Sequence, residues 1–219
     1  MFIGHYAAAP LAAASGKLKL WHAFIAVQFV DIIWAIFMIT GIEQGRVIPD
    51  FTQANALDMH FMPYSHSLLF TAGWAIIGAL GFKAFTRARG WGGAGIFGAL
   101  VLSHWVGDVI VHVPDMTFWP GSSKIGFGLW NHVMLSFPLE LLTMFAALWI
   151  YIRATKPVSK RAKMWTGLLV LFLGALQVLA NFGPPPTSMT EVGISALIVF
   201  ALLAFIASRY EKTRGSIGI

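Results

Sequence analysis

In the sequence SHWVGDVIVHVPD, His104, Asp108 and His112 recur every four residues within an otherwise apolar run. On a helix that spacing puts all three on one face, about one turn apart. Two donors a turn apart are how helix-borne His and carboxylate groups share a metal ion. Ser103 and Asp115 lie close by. The same spacing suits a His–Asp hydrogen bond that only locks two helices together, so the motif alone leaves both readings open. Three more residues with ligand chemistry sit in apolar surroundings: His5 in MFIGHY, Asp31 in FVDIIWAIF and His66 in PYSHSLL. With no Cys in the chain, disulfides, thiolate sites and thiol nucleophiles are excluded. Any metal must be held by His, carboxylate, amide or water.

The elements that position these groups are membrane spans. The chain has 219 residues, 58% hydrophobic and only 11% charged, with a mean hydropathy of +0.74. Soluble domains carry about 25% charged residues, so this is an integral membrane protein. A bilayer core of about 30 Å takes roughly 20 apolar residues per helix. Reading for such runs predicts spans near 20–41, 64–86, 91–113, 132–153, 164–182 and 190–208. The fold class is therefore all-α and membrane-integral, a single domain over 1–219. Residues 17–113 supply the polar helices and 114–219 the supporting ones.

The net charge of +6 is read by position, not as a nucleic-acid signal. Lys17 and Lys19, then Lys83, Arg87 and Arg89, then Arg153, Lys156, Lys160, Arg161 and Lys163, and finally Arg209, Lys212 and Arg214 occupy alternate connections and the tail. The other connections hold only Arg46 and Lys124, with the acids Glu43, Asp50, Asp58 and Asp115. By the positive-inside rule, both termini are expected in the cytoplasm. Residues 1–16, apolar and too short to span, are expected to form a re-entrant or interfacial half-helix.

Ionisable groups inside spans are costly and mark functional sites by default. At about 1.5 Å per residue, Asp31 reaches roughly 17 Å up the first span, His104 about 20 Å and Asp108 about 26 Å up the third. His66, entering from the far side, lies at the height of Asp108. If the N-terminal segment dips into the bundle, His5 joins them at roughly 18 Å. His5, Asp31, His66, His104 and Asp108 can thus share one cavity toward the periplasmic side, with His60, His112 and Asn131 as additional candidates. Gln28, one turn before Asp31, is a candidate to orient it, and Ser65 a candidate helix cap. Glu140 reads as a packing acid and Asn181 as a cap of the fifth span.

The N-terminal GH, the Asp of the first span, SHSLL in the second and SHxxxD in the third, in this order, resemble the bacterial inner-membrane YdjM-like family of membrane-bound metal-dependent hydrolases. The resemblance covers residues 1–115 by motif and the whole chain by hydropathy. It implies His5, Asp31, His66, His104 and Asp108 as the ligand set, a divalent metal such as zinc, and residence in the bacterial inner membrane. The HxxxD pair followed by another His is also similar to the zinc-dependent phospholipase C fold. Departures are the single Asp31 where many members have two acids, and Met62, Pro63 and Tyr64 where many have an Arg.

These residues lead to a metal-dependent hydrolase acting on an ester or phosphoester of a lipid-like or amphiphilic substrate, with Asp31 and Asp108 as catalytic carboxylates. A metal-ion or proton-coupled transporter or channel, a haem or quinone protein, and a scaffold with a structural His/Asp cluster remain as alternatives.

Overall fold

The computed structural model describes residues 2–87 and 90–216; Arg89 of the cationic connections lies outside them. Eight α-helices run through these residues: α1 (Ala8–Ala14), α2 (Leu20–Val27), α3 (Phe29–Thr40), α4 (Leu68–Thr86), α5 (Gly92–Val111), α6 (Val133–Ala154), α7 (Ala162–Phe182) and α8 (Met189–Glu211). The last five are each long and apolar enough to cross a bilayer. The fold is that of an all-α membrane protein.

The first predicted span differs. Instead of one helix over 20–41, α2 and α3 meet at a 48° bend around Gln28. Sharp kinks arise where a side chain enters the backbone ladder. Here the Val27 carbonyl accepts a hydrogen bond from His104 Nδ1 at 2.7 Å. The break makes Asp31 a first-turn residue of α3, where the helix dipole favours a carboxylate.

The N-terminal segment dips into the bundle. Residues Ile3–Ala7 form a 3-10 turn whose first four residues are buried, and α1 continues from it. Gln177 Oε1 accepts the Ile3 amide at 3.4 Å, while Glu140 Oε2 accepts those of Phe2 at 2.8 Å and Gly4 at 3.1 Å. These groups have no partner within such a short turn, so a carboxylate on α6 and an amide on α7 supply what the turn lacks.

Three antiparallel ribbons sit in the connections: β1 (Gln44–Val47) with β2 (Leu57–Phe61), β3 (Met116–Thr117) with β4 (Lys124–Ile125), and β5 (Thr155–Pro157) with β6 (Arg214–Ser216). The first two share one end of the bundle. Lys124 Nζ donates to the His60 carbonyl at 2.8 Å, and the Ala54 amide donates to the Trp130 carbonyl at 3.1 Å. Asn181 Nδ2 closes the same end by donating to the Ala54 carbonyl at 3.1 Å. The third ribbon lies with the Lys- and Arg-rich connections at the opposite end.

The larger apolar core runs through α1, α2, α5, α6, α7 and α8 around Tyr6, Phe24, Leu148 and Leu173. A second core under the first two ribbons packs Trp34, Met59, Met62, Trp105 and Met116. Against α3, α8 closes tightly at Gly193, where a Cβ would stand 2.9 Å from the Ala35 carbonyl.

Candidate metal centre

The polar residues of the first half converge. His104 and Asp108 project from one face of α5, Asp31 from the first turn of α3, His66 from just before α4, and His5 from the 3-10 turn. His66 Nε2 lies 3.2 Å from Asp31 Oδ1 and 3.5 Å from Asp108 Oδ2. His104 Nε2 lies 3.3 Å and 3.0 Å from the same two oxygens. The other oxygen, Asp108 Oδ1, stands 2.9 Å from His5 Nε2 and 3.5 Å from His112 Nε2. The His5 ring stacks on that of His104, centroids 3.7 Å apart.

The opposite nitrogens explain why these rings aim inward. His104 Nδ1 faces the Val27 carbonyl, which can only accept, so Nδ1 carries a proton and Nε2 is the nitrogen turned to the cluster. For His66 the orienting partner is Ser65. The Ser65 hydroxyl donates to Glu43 Oε2 at 2.5 Å, leaving its oxygen to accept from His66 Nδ1 at 2.7 Å. Glu43 Oε1 also accepts the amides of Tyr64 at 2.7 Å and Ser65 at 2.8 Å. His112 Nδ1 donates to Asp115 Oδ1 at 2.9 Å. Three imidazoles thus turn Nδ1 to an oxygen (the Val27 carbonyl, the Ser65 hydroxyl and the Asp115 carboxylate) and Nε2 toward the cluster, the orientation of metal-ligating His.

The donors fit a divalent ion. In a tetrahedral site with bonds of about 2.0–2.1 Å, donors lie about 3.3 Å from one another. Of the contacts linking Asp31 Oδ1, His66 Nε2, His104 Nε2 and Asp108 Oδ2, the four His–Asp separations run from 3.0 to 3.5 Å. His104 Nε2 is buried and has no partner in hydrogen-bond geometry among the described residues. In two overlapping groups, His5–His104–Asp108 and Asp31–His66–His104, the ligand atoms all lie within 4.8 Å of one another. These buried His and Asp groups can therefore hold a metal ion.

Their exposures differ. The Asp108 side chain is 2% exposed, whereas that of Asp31 is 21% exposed and opens on a cavity of about 640 Å³. The cavity lies between α7 and α8 beneath the 49–57 loop, with His66, Asp108 and His112 on its floor.

His112 belongs to this cluster, at the point where α5 ends. Pro114 follows two residues later, and the amides of Phe127 and Gly128 cap the α5 carbonyls of Val109 and His112 at 2.8 and 2.7 Å. That approach requires Gly126, where a Cβ would lie 2.3 Å from the Val113 carbonyl and 2.5 Å from that of His112. The Trp130 ring then lies 4.3 Å from that of His112.

His60 and Asn131 stand apart. His60 is on β2, its Nδ1 3.8 Å from Asp58 Oδ2 and its ring partly exposed, because the strand turns it away from the bundle. Asn131 is exposed in the 3-10 turn preceding α6. Gln28 does not orient Asp31; its buried side chain makes no hydrogen bond among the described residues and the residue serves as the bend. Ser67, not Ser65, caps α4, accepting from the Phe70 amide at 3.4 Å. Glu140 anchors the N-terminal turn, and Asn181 accepts from Gln177 Nε2 at 2.7 Å instead of capping α7.

Two partners were not visible as such in the sequence. Glu43 and Asp115 read as loop acids, yet Glu43 is 1% exposed and both orient ligands. An acid three residues after His112 was a usable signal. Nothing local connects Glu43 to Ser65, because the β1–β2 ribbon brings them together.

No curated protein and no solved structure matches the chain. The family model described as YdjM inner membrane protein matches residues 7–183, beginning just after His5 and containing Asp31, His66, His104, Asp108 and His112. With the apolar helices, that match makes this a multi-pass inner-membrane protein, and the chain belongs to the YdjM inner membrane protein family.

Proposed function

We propose that the protein is a metal-dependent membrane hydrolase that cleaves an ester or phosphoester of a lipid-like or amphiphilic substrate. One observation carries the reading: His66 Nε2 and His104 Nε2 each lie 3.0 to 3.5 Å from oxygens of both Asp31 and Asp108, beside a cavity between two spans that Asp31, His66 and Asp108 line. In this reading His66, His104 and Asp108 would hold the ion, zinc, leaving a fourth position open beside Asp31, and His5 and His112 would support it through the second oxygen of Asp108. A divalent ion held there supplies Lewis acidity toward an ester oxygen and brings the pKa of a bound water to about 7.

The chain's own groups do the rest. Asp108, buried among four imidazoles, is the fixed ligand. Asp31, the more exposed of the two carboxylates, is placed to accept the proton of an attacking water as general base. The apolar walls exclude bulk water and seat an acyl chain. The scarcity of Lys and Arg at the site end supports a periplasmic location for that end, with the cationic connections and the C-terminal tail on the cytoplasmic side.

The test is elemental analysis of purified protein after a chelator wash and again after zinc reloading, followed by assays on chromogenic esters and phosphodiesters in micelles. About one zinc per chain and chelator-sensitive turnover are expected. Absence of stoichiometric metal in both states overturns the reading.

A further inference from the structure

The cavity beside the metal centre is uneven in charge. Leu176 and Leu179 of α7 and Val199 and Phe200 of α8 line it, giving an apolar slot. Its polar end is lined by five carboxylates, Asp31, Asp50, Asp108, Glu140 and Glu191. Among the described residues no Lys or Arg lines it. The two cations in the connections at this end are committed elsewhere. Arg46 Nη2 is 2.7 Å from Asp58 Oδ2, and Lys124 Nζ donates to the His60 carbonyl at 2.8 Å.

A divalent ion offsets the charges of Asp31 and Asp108. Asp50, Glu140 and Glu191 add three further acids to the lining, Glu140 turned to the Phe2 and Gly4 amides and Glu191 to the Thr187 amide and hydroxyl. An anionic head group entering here would shed its water without meeting a Lys or Arg side chain, the groups that ordinarily recognise phosphate. It would also face like charge, and juxtaposed like charges are a means of rejecting wrong partners.

Resting on the hydrolase reading above, we propose that the substrate is an amphiphile whose head group carries no net negative charge. A neutral ester satisfies the cavity directly. A zwitterionic head group turns its ammonium toward Asp50 and Glu191 at the mouth. Head groups that are net anions, phosphate monoesters above all, are excluded by the lining and not by the size of the cavity.

The test uses zinc-loaded full-length protein in neutral maltoside micelles with lipids of identical brominated acyl chains: diacylglycerol, phosphatidylcholine and phosphatidate. Trp34 lines the cavity, so the component of tryptophan quenching lost in Trp34→Phe reports occupancy of this site. Diacylglycerol and phosphatidylcholine are expected to bind at least about tenfold more tightly than phosphatidate. Ser195→Lys, which adds a cation to the α8 wall away from the ligands, is expected to narrow that ratio severalfold. Phosphatidate binding as tightly as the other two overturns the proposal. So does the absence of Trp34-dependent quenching with every lipid. Turnover measured in parallel separates the two readings. Selective binding with no hydrolysis removes the hydrolase and leaves the selectivity, whereas hydrolysis that favours phosphatidate removes the selectivity and leaves the hydrolase.

Discussion

Helices α5 and α7 are nearly the same object by composition, 20 and 21 residues long and each with a best-window hydropathy of 1.7. Yet 44% of that window is buried in α5 and 17% in α7. Both cross the membrane because average apolarity decides insertion. What separates them is one face. On α5 it carries His104, Asp108 and His112, whose lone pairs and charges demand partners on every side, so α3, the residues before α4 and the N-terminal turn gather around it. On α7 the polar face carries Gln177 and Asn181, which satisfy backbone groups of other segments and leave most of the helix to lipid. A polar residue in a span thus assigns its helix to the centre or the edge according to how many partners it requires.

Breaking the α5 side should have the largest effect. His104→Ala or Asp108→Asn is expected to abolish stoichiometric zinc in protein that still elutes as a single species, with metal affinity lowered by more than about 100-fold. Elemental analysis and isothermal titration check it. Next comes the cap on the end of α5. Gly126→Ala drives a Cβ into two backbone carbonyls and is expected to destabilise the fold by about 1–3 kcal/mol or more, read as a lower thermal transition in detergent.

Groups one layer out should matter less. Ser65→Ala or Glu43→Gln releases His66 from its tautomer and is expected to weaken zinc binding about 10–100-fold without preventing it. Cobalt substitution, with its visible spectrum, checks whether the ligand field shifts. On the α7 side, Gln177→Leu loosens the turn that carries His5, and an affinity loss below about tenfold is expected. At the lipid-facing edge, Leu171→Ala should change stability by no more than about 0.5 kcal/mol. An α7 variant that strips the metal as completely as Asp108→Asn would collapse the contrast between the two helices.

Much of this was legible in the sequence. Five spans follow from their apolar runs, and the convergence of His5, Asp31, His66, His104 and Asp108 follows from the rarity of ionisable groups in such runs. The bend at Gln28 was not legible, because Gln breaks no helix by itself and the cause is His104, 76 positions away. Ser65 and Ser67 are equally good caps by type, so only the position of Glu43 decides which one turns to His66. Glu43 in turn depends on a ribbon of short, polar strands, the least periodic kind of signal. The role of Glu140 depends on an N-terminal turn too short to hold its own amides.

That anchoring also orders the assembly of the site in time. Every ligand lies within the first 112 residues, yet the turn bearing His5 is fastened by Glu140 and Gln177. A chain emerging from the ribosome therefore has its ligands inserted long before the segment with His5 can be locked in place. The groups of α3, α5 and the residues before α4 can meet first, and the support that His5 gives Asp108 is secured only after the sixth and seventh helices have entered the bilayer.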